Sequence, residues 1–335
     1  MCDSLATNLY AKDTRFVYEL TQNAEDNKYT IANVASEPPF LHFYVYQDRI
    51  VIDSNEDGFS KANINAICST GESTKSFSQG YIGEKGIGFK SVFKVARKVH
   101  VQSGPFSFAF KYQHGEEEDG LGMVTPMNED PLDVPNGVRT RMILYLLEQC
   151  DRAKLYNEFA SLPDTLLLFL KKLKQLSIKI SLPGYSQVEQ MYSLSSKDNR
   201  VSICKRIVNS KSSSTQDYRI IRHQVTNMPN DHARKGINEA EVVLAFPLDR
   251  DDVPVLENQH VFAFLPLRKL GFKVGFYIYF DISLMNITNI PYIYSSSFSR
   301  TLSRRQAVKT FLIPNGIIAC WMKSQSHSYP VFEDF

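Results

Sequence analysis

A run of closely spaced glycines limits what this part of the chain can form. The segment GYIGEKGIGFKSVFKV, at positions 80–95, holds four glycines before it becomes apolar. Each glycine in a helix or strand interior costs roughly 0.5–1 kcal/mol relative to alanine, so the run predicts a loop. A glycine-rich loop that leads into a helix N-terminus presents backbone N–H groups and the positive end of the helix dipole to an anion. Alone, the pattern fits either a phosphate-binding loop or a tight turn before a helix.

The composition is typical of a folded protein and predicts its compartment. Of the 335 residues, 43% are hydrophobic, and the net charge of +2 is too balanced to favour a nucleic-acid partner. The five cysteines are widely spaced without a CxxC pair, and the N-terminus lacks the pattern of a signal peptide. With no apolar run of about 18 residues, these features predict an intracellular protein of the cytoplasm or nucleus without a membrane span.

Hydrophobic periodicity predicts the elements and two domains, at positions 1–150 and 151–335. A helix is expected over residues 14–29, followed by a hairpin or adjacent strands over 41–55. Residues 151–180 place leucines on one face and lysines on the other, which predicts a helix. Most of the remainder alternates as strands, and the amphipathic stretch 305–322 predicts a final helix.

Four polar residues on the predicted first helix share one face. Glu19, Asn23, Asp26 and Asn27 follow the spacing i, i+4, i+7 and i+8. In most helices such a face is only a solvated surface. A carboxamide near a carboxylate is also a common way to hold Mg²⁺, which binds through one or two protein oxygens plus substrate phosphates.

The segment DSNEDGF, at positions 53–59, places acidic residues and a glycine directly after the apolar run RIVI. In most proteins such a strand end is a plain turn. A buried carboxylate at a strand end can also accept a hydrogen bond from an exocyclic amine such as that of adenine. Gly58 would then let a flat base approach the backbone.

A third motif, G-x-x-G-x-G, lies within the glycine run at Gly83, Gly86 and Gly88, where Lys85 and Lys90 add positive charge. It is not the dinucleotide-binding fingerprint, because no clear βαβ unit precedes it. It is not a Walker loop either, because GxxxxGK[ST] does not occur in the chain. By itself this motif indicates only a site that favours anions.

Taken in order, the three motifs resemble the boxes of the GHKL ATPase superfamily, which includes gyrase, the heat-shock chaperone, histidine kinases and mismatch-repair ATPases. The segments FVYELTQNAEDN, NEDGFSKANINAICSTGESTKS and GEKGIGFKSVFKV are similar to the ATP-binding module of sacsin and the plant NO VEIN proteins. The likeness continues in LLLFLKKLKQLSI and VFAFLPLRKLGFKV. It implies an α+β fold: a two-layer α/β sandwich of the Bergerat type, with helices covering a mixed or antiparallel sheet, and then a second, transducer-like α/β domain.

The resemblance also implies roles for individual residues. Glu19 resembles the general base that activates water against the γ-phosphate, and Asn23 resembles the residue that holds Mg²⁺. Thr140 would contact the base through water, and Arg268 or Lys269 would supply a basic group to the γ-phosphate. The other implied nucleotide-binding residues are Asp26, Asn27, Asp53, Ser54, Asn55, Gly58 and Phe89, together with Ser73, Thr74, Lys75, Gly83, Lys85, Gly86, Ile87 and Gly88 of a lid over 69–90.

The chain departs from the resembled pattern in the part that would meet the base. Counting back from Gly58, the acid or amide that recognises adenine in the family falls on Ser54. A serine can still bond a base through water, and Asp53 or Asp57 could substitute for the missing group. In the second half, FDISLMNITNIPYIYSSSF stands where relatives tend to carry an acidic, arginine-containing stretch.

These features predict an ATP-binding protein and weak ATPase, in which slow Mg²⁺-dependent hydrolysis couples lid closure to a conformational change. A protein client or a homodimer remains open as a partner. The alternative is a repurposed site that binds or transforms another small molecule, which the serine at position 54 favours. An interaction module on HVFAFLPLRKLGFKVGFYIYF ranks last, because alternating aromatic residues in strands are usually core.

Overall fold

One mixed sheet of fourteen strands runs through most of the described chain. The computed structural model describes residues 15–68, 89–112, 125–225, 240–255, 257–263, 265–269, 275–278, 309–313 and 316–321. The strands of the large sheet are β1 (Phe40–Tyr46), β2 (Arg49–Ser54), β3 (Ala96–Ser103), β4 (Phe106–Lys111), β5 (Met127–Asn128), β6 (Thr140–Leu146), β7 (Gln175–Ser181), β8 (Val188–Lys197), β9 (Arg200–Ile207), β10 (Ser212–Val225), β11 (Ala240–Leu248), β12 (His260–Ala263), β13 (Leu265–Lys269) and β14 (Gly275–Ile278).

The order of the strands is β13-β12-β14-β11-β10-β9-β8-β7-β1-β2-β6-β3-β4-β5. Neighbouring strands are antiparallel except for the pairs β1–β7 and β12–β14. The predicted hairpin is confirmed, because β1 and β2 pair antiparallel with Val45 opposite Ile50. The parallel pairing of β7 with β1 joins the first half of the sheet to the second.

Helices are few in the described part of the chain. They are α1 (Arg15–Asp26), α2 (Thr30–Val34), α3 (Lys61–Cys68) and α4 (Arg152–Ala160), with short 3₁₀ helices at Phe89–Lys94 and Asp164–Leu167. The predicted first helix is confirmed as α1, whose apolar residues Phe16, Val17 and Leu20 are buried. Phe159 of α4 lies between α1 and the sheet, with ring centroids 6.2 Å from Phe16 and 5.7 Å from Phe43.

The predicted two-layer, helix-covered sandwich followed by a second α/β domain is wrong. The described residues form one large mixed sheet with few helices, and that sheet continues across the middle of the chain. The physical reason lies in β8, β9 and β10, which pair antiparallel with one another and are joined by short turns. Short connections between long strands extend an existing sheet, whereas a new helical layer needs long crossovers. The domain division at position 150 stays a prediction.

One predicted helix is confirmed only in part, and another is a pair of strands. Within 151–180, α4 (Arg152–Ala160) and the 3₁₀ helix at Asp164–Leu167 are helical, but the end of the stretch forms β7, whose residues alternate between buried and half-buried up to Ile180. Within 305–322, β15 (Lys309–Ile313) and β16 (Gly316–Trp321) pair antiparallel as a separate two-stranded sheet. Alternating burial favours the strand in β7, and β-branched and aromatic residues favour strands in β15 and β16. None of the helices described here is long and apolar enough to cross a bilayer.

Candidate functional site

The helix α1 carries the polar face that the sequence predicted. Glu19, Asn23 and Asn27 are half-buried, and Asp26 is buried. Because residues four apart lie one above the other on a helix, Glu19 and Asn23 project to the same side. The structure therefore brings a carboxylate and a carboxamide together on one surface of α1.

The C-terminal end of α1 is fixed by a residue that none of the sequence motifs singled out. The buried carboxylate of Glu25 accepts hydrogen bonds from the backbone N–H groups of Lys171 (2.7 Å), Lys172 (2.9 and 3.1 Å) and Leu173 (2.9 Å). Consecutive N–H groups that converge in this way form a cradle for an anion. The Lys172 ammonium also donates to the carbonyl oxygens of Asp26 (3.0 Å) and Asn27 (2.8 Å). A cation at this place satisfies the last carbonyls of the helix and suits its dipole.

A row of hydroxyl groups lies where three neighbouring strands end or begin. Ser54 of β2 is opposite Thr140 of β6, and Thr140 is opposite Ser103 of β3. Residues directly opposite one another on adjacent strands share one face of the sheet, so the three side chains lie side by side. All three are buried, and the Ser103 Oγ and Thr140 Oγ1 atoms are 2.6 Å apart. We call Ser54, Thr140 and Ser103 the hydroxyl row.

Tyr29 links the hydroxyl row to the end of α1. Its hydroxyl group donates to the Ala24 carbonyl oxygen (2.9 Å) and lies 3.5 Å from Ser54 Oγ. Burial raises the pKa of Tyr29 far above its usual value; the Ser54 hydrogen bond lowers it in part, and the Glu56 carboxylate raises it further. The hydroxyl group therefore stays protonated and keeps its donor role.

The acidic and amide residues around Ser54 are held by other partners. Asp53 lies on the opposite face of the sheet, where its carboxylate accepts from Arg141 Nε and Nη2, both at 2.7 Å. Asn55 bonds the backbone of Phe40 and Pro38. Asp57 accepts from the backbone N–H groups at the start of α2. Of the two acids that could replace the missing adenine-recognising group, neither turns toward the hydroxyl row in this structure.

Gly58 has a backbone conformation that favours glycine. Its φ is +94°, and a Cβ at this position would lie 3.5 Å from Ser103 Oγ in the hydroxyl row. That distance is ordinary van der Waals contact, so the need for glycine comes from the backbone rather than from a lack of space. The nearby Phe59 N–H donates to Ser103 Oγ at 2.8 Å.

The substitution Gly58→Ala is expected to destabilise the protein by about 1–2 kcal/mol, because a non-glycine residue is strained at this φ. If a base lies against this backbone, the same variant also weakens nucleotide binding. Gly184→Ala is the matched control, since Gly184 has a similar φ of +81° and nothing within 4 Å of the added Cβ. Denaturant unfolding and a binding titration on both variants separate the two effects. Equal binding losses in the two variants would remove Gly58 from the site.

The predicted lid lies mostly outside the described residues. This holds for Ser73, Thr74, Lys75, Gly83, Lys85, Gly86, Ile87 and Gly88. Cys68 and Lys90, on either side of this segment, are close enough to affect each other: burial lowers the pKa of Lys90, and Cys68 opposes this shift.

Phe89, Arg268 and Lys269 complete the set of predicted nucleotide-binding residues. Phe89 is buried in the core, with its ring centroid 5.8 Å from that of Phe110. Arg268 and Lys269 belong to β13, and their side chains lie outside the described part. Among the residues that the structure describes, no three His, Cys, Asp or Glu side chains are grouped as ligands for a metal ion.

Three residues of the site were missed by sequence reasoning: Glu25, Tyr29 and Ser103. Glu25 lies within the quoted NAEDN stretch, but its partners are some 146 residues further along the chain. Ser103 ends a strand, as many serines do, and only the register with Thr140 gives it a role. Tyr29 follows α1 as an ordinary apolar residue. No local signal in the sequence marks any of the three.

The chain is similar to Protein NO VEIN of Arabidopsis thaliana, with 31% identity over 292 residues. The matched region is 80% of this chain and 10% of that protein, so the chain spans about a tenth of the length of its curated relative. This similarity supports the NO VEIN part of the resemblance predicted from the motifs. No protein-family model matches the chain.

Among solved structures, a crystal structure of the N-terminal domain of a DNA repair protein has a detectable likeness to the chain. The TM-score is 0.39 at 9% identity, and the match covers 78% of this chain and 82% of that one. A likeness at this TM-score supports no conclusion about fold or function.

Proposed function

We propose that this chain binds ATP together with Mg²⁺ and hydrolyses it slowly, as the GHKL ATPases that its motifs resemble do. The observation that carries the proposal is the convergence on α1 of motifs that are far apart in the sequence. The turn of the second motif contacts the end of α1, since the Asp57 N–H donates to the Lys28 carbonyl oxygen at 2.8 Å. The 3₁₀ helix that follows the third motif packs against α1.

The polar groups of α1 suit the chemistry of phosphate transfer. Glu19 is a half-buried carboxylate that can accept the proton of an attacking water. Asn23 offers a carboxamide oxygen one turn away, and Mg²⁺ is commonly held by one or two protein oxygens with phosphates as its other ligands. When bound, the ion would neutralise charge on the phosphate oxygens. The residues present therefore fit Mg²⁺ with Asn23 as its protein ligand.

The hydroxyl row and Gly58 suit the base. Thr140 and Ser54 place hydroxyl groups at the ends of their strands, near the turn whose backbone conformation requires glycine at position 58. The similarity to Protein NO VEIN adds support of a second kind, because it extends over 80% of the chain. A lid that closes over the phosphates, a coupled conformational change, and a protein client or homodimer belong to the same proposal.

Saturating ATP with Mg²⁺ is expected to raise the thermal midpoint of the chain. A ligand selective for the native state at one hundred times its Kd adds about 2.7 kcal/mol of stability. In Asn23→Ala the part of this stabilisation that depends on Mg²⁺ is expected to disappear, because the carboxamide oxygen is lost. The measurement is a thermal-unfolding series with ATP in the presence of Mg²⁺ or of a chelator.

The matched control is Asn157→Ala, which makes the same change on an exposed position of α4. It is expected to keep the full Mg²⁺-dependent shift. Absence of any shift in the wild type at millimolar ATP and Mg²⁺ would reject the nucleotide proposal in favour of a site for another small molecule. An unchanged shift in Asn23→Ala would instead reject only the role of that residue.

A further inference from the structure

The hydroxyl groups beside the proposed base site can each act as a hydrogen-bond donor or as an acceptor toward a ligand. Ser54 Oγ accepts from the Glu56 N–H at 3.2 Å. The only proton of the Tyr29 hydroxyl group goes to the Ala24 carbonyl oxygen, so Ser54 is the donor in the long 3.5 Å contact with Tyr29. A contact at this distance is weak, and the Ser54 hydroxyl group can turn to another partner at little cost.

The same holds for the other end of the hydroxyl row. Ser103 Oγ accepts from the Phe59 N–H and shares one short hydrogen bond with Thr140 Oγ1, in which either oxygen can donate. Two hydroxyl protons are present and the shared bond uses one of them. Whether Ser103 or Thr140 donates in that bond, the hydroxyl proton of the other residue and at least one oxygen lone pair remain for a ligand.

The carboxylates of Asp53 and Asp57 are both bound elsewhere. Asp53 is on the opposite face in a two-point ion pair with Arg141, where its side chain is 2% exposed. Asp57 uses both carboxylate oxygens on the backbone of Thr30 and Ile31. Glu56 is buried near Tyr29 and is the acid that a test of this site must include.

Resting on the proposed function, we infer that the hydroxyl row reads the purine base without a carboxylate and accepts both 6-amino and 6-oxo purine nucleotides. An ionised carboxylate only accepts hydrogen bonds, so it selects the exocyclic amine of adenine and repels a carbonyl oxygen. A hydroxyl group donates to the carbonyl or accepts from the amine by rotating about its C–O bond. A binding site with a fixed donor or a fixed acceptor discriminates strongly between bases that differ at that position. The hydroxyl row has no such fixed group.

The experiment measures the Kd of ATP, GTP and ITP for the full chain with Mg²⁺, by calorimetry or by competition with a fluorescent nucleotide. The three Kd values are expected to agree within about fivefold, which corresponds to no more than one net hydrogen bond. In Ser54→Asp, the added acceptor is expected to give ATP an advantage of at least about tenfold over GTP and ITP. Ser181→Asp is the control, because it adds the same charge at an exposed strand end far along the sheet, and its selectivity should match the wild type.

Since Ser54 is buried, Ser54→Asp can fail to fold, and Thr140→Val provides the second variant. This substitution keeps the shape of the side chain. It is expected to raise the Kd of ATP and of GTP by the same factor, because the hydroxyl group that it removes serves both bases. A wild-type preference for ATP of tenfold or more over GTP and ITP would overturn the inference while leaving the proposed function intact. If Glu56→Gln removed that preference, the selecting acid would be Glu56. Failure of all three nucleotides to bind would overturn the proposed function itself.

Discussion

The substitution Glu25→Ala is expected to lower the free energy of unfolding by about 3 kcal/mol, because hydrogen bonds to a charged group are the strong ones. It removes an acceptor that serves three consecutive backbone N–H groups, at Lys171, Lys172 and Leu173. Leu173 is buried, so its N–H group loses its acceptor at a place away from the protein surface when the carboxylate is removed. The contact spans more than 140 residues, so its loss also frees α1 from the segment that enters β7.

Equilibrium unfolding in urea or guanidinium measures this effect as a shift of the midpoint at unchanged slope. Glu25→Gln keeps one acceptor oxygen and is expected to fall between Glu25→Ala and the wild type. Glu37→Ala is the matched control: its ion pair with Arg139 is 3.4 Å long and the Glu37 side chain is 44% exposed. Exposed pairs of this kind are worth about 0.2–1 kcal/mol. If Glu25→Ala were no less stable than Glu37→Ala, the hydrogen bonds between Glu25 and residues 171–173 would not stabilise the fold in solution.

The substitution Glu19→Ala is expected to abolish ATP turnover while nucleotide binding remains. A positioned general base contributes typically about 10²–10⁴-fold to a rate, so turnover should fall by that factor. The carboxylate is proposed to act on water rather than on the nucleotide, and its removal therefore leaves binding contacts in place. Glu19→Gln, which keeps the shape of the side chain, should show the same loss.

Phosphate release under saturating ATP and Mg²⁺ reports turnover, and a separate titration reports the Kd. Glu148→Gln, at an exposed position after β6, is the control and should hydrolyse ATP at the wild-type rate. Hydrolysis by Glu19→Ala at the wild-type rate would make the general-base assignment wrong. Absence of hydrolysis in the wild type with a measurable Kd would leave an ATP-binding protein that is not an ATPase.

Local patterns predicted the elements whose burial depends on their own sequence. The helix α1 has an apolar stripe of Phe16, Val17 and Leu20, and each of these residues is buried as the period of 3.6 requires. The hairpin of β1 and β2 follows from two β-rich runs with a short connection between them. Neither prediction needed a partner from elsewhere in the chain.

The second half could not be predicted in the same way. The apolar and polar residues at the end of the predicted helix 151–180 also fit a strand with alternating burial, which is what they form in β7. This segment becomes a strand because it pairs in parallel with β1, which lies some 135 residues earlier in the chain. The layered architecture implied by the family resemblance failed for the same reason, because strands with available edges extended the sheet.

By itself, the sequence determined the spacing of Glu19 and Asn23 on one helix face and the place of Gly58 after a strand, since both depend on near neighbours. Tertiary structure alone decided which side chains meet there. Successive side chains of a strand point to opposite faces, and the pairing of β2 with β6 places Asp53 beside Arg141 and Ser54 beside Thr140 in the hydroxyl row. The contacts of Ser103 with Thr140 and of Glu25 with Leu173 likewise join residues that the chain keeps far apart, so no local pattern carries them.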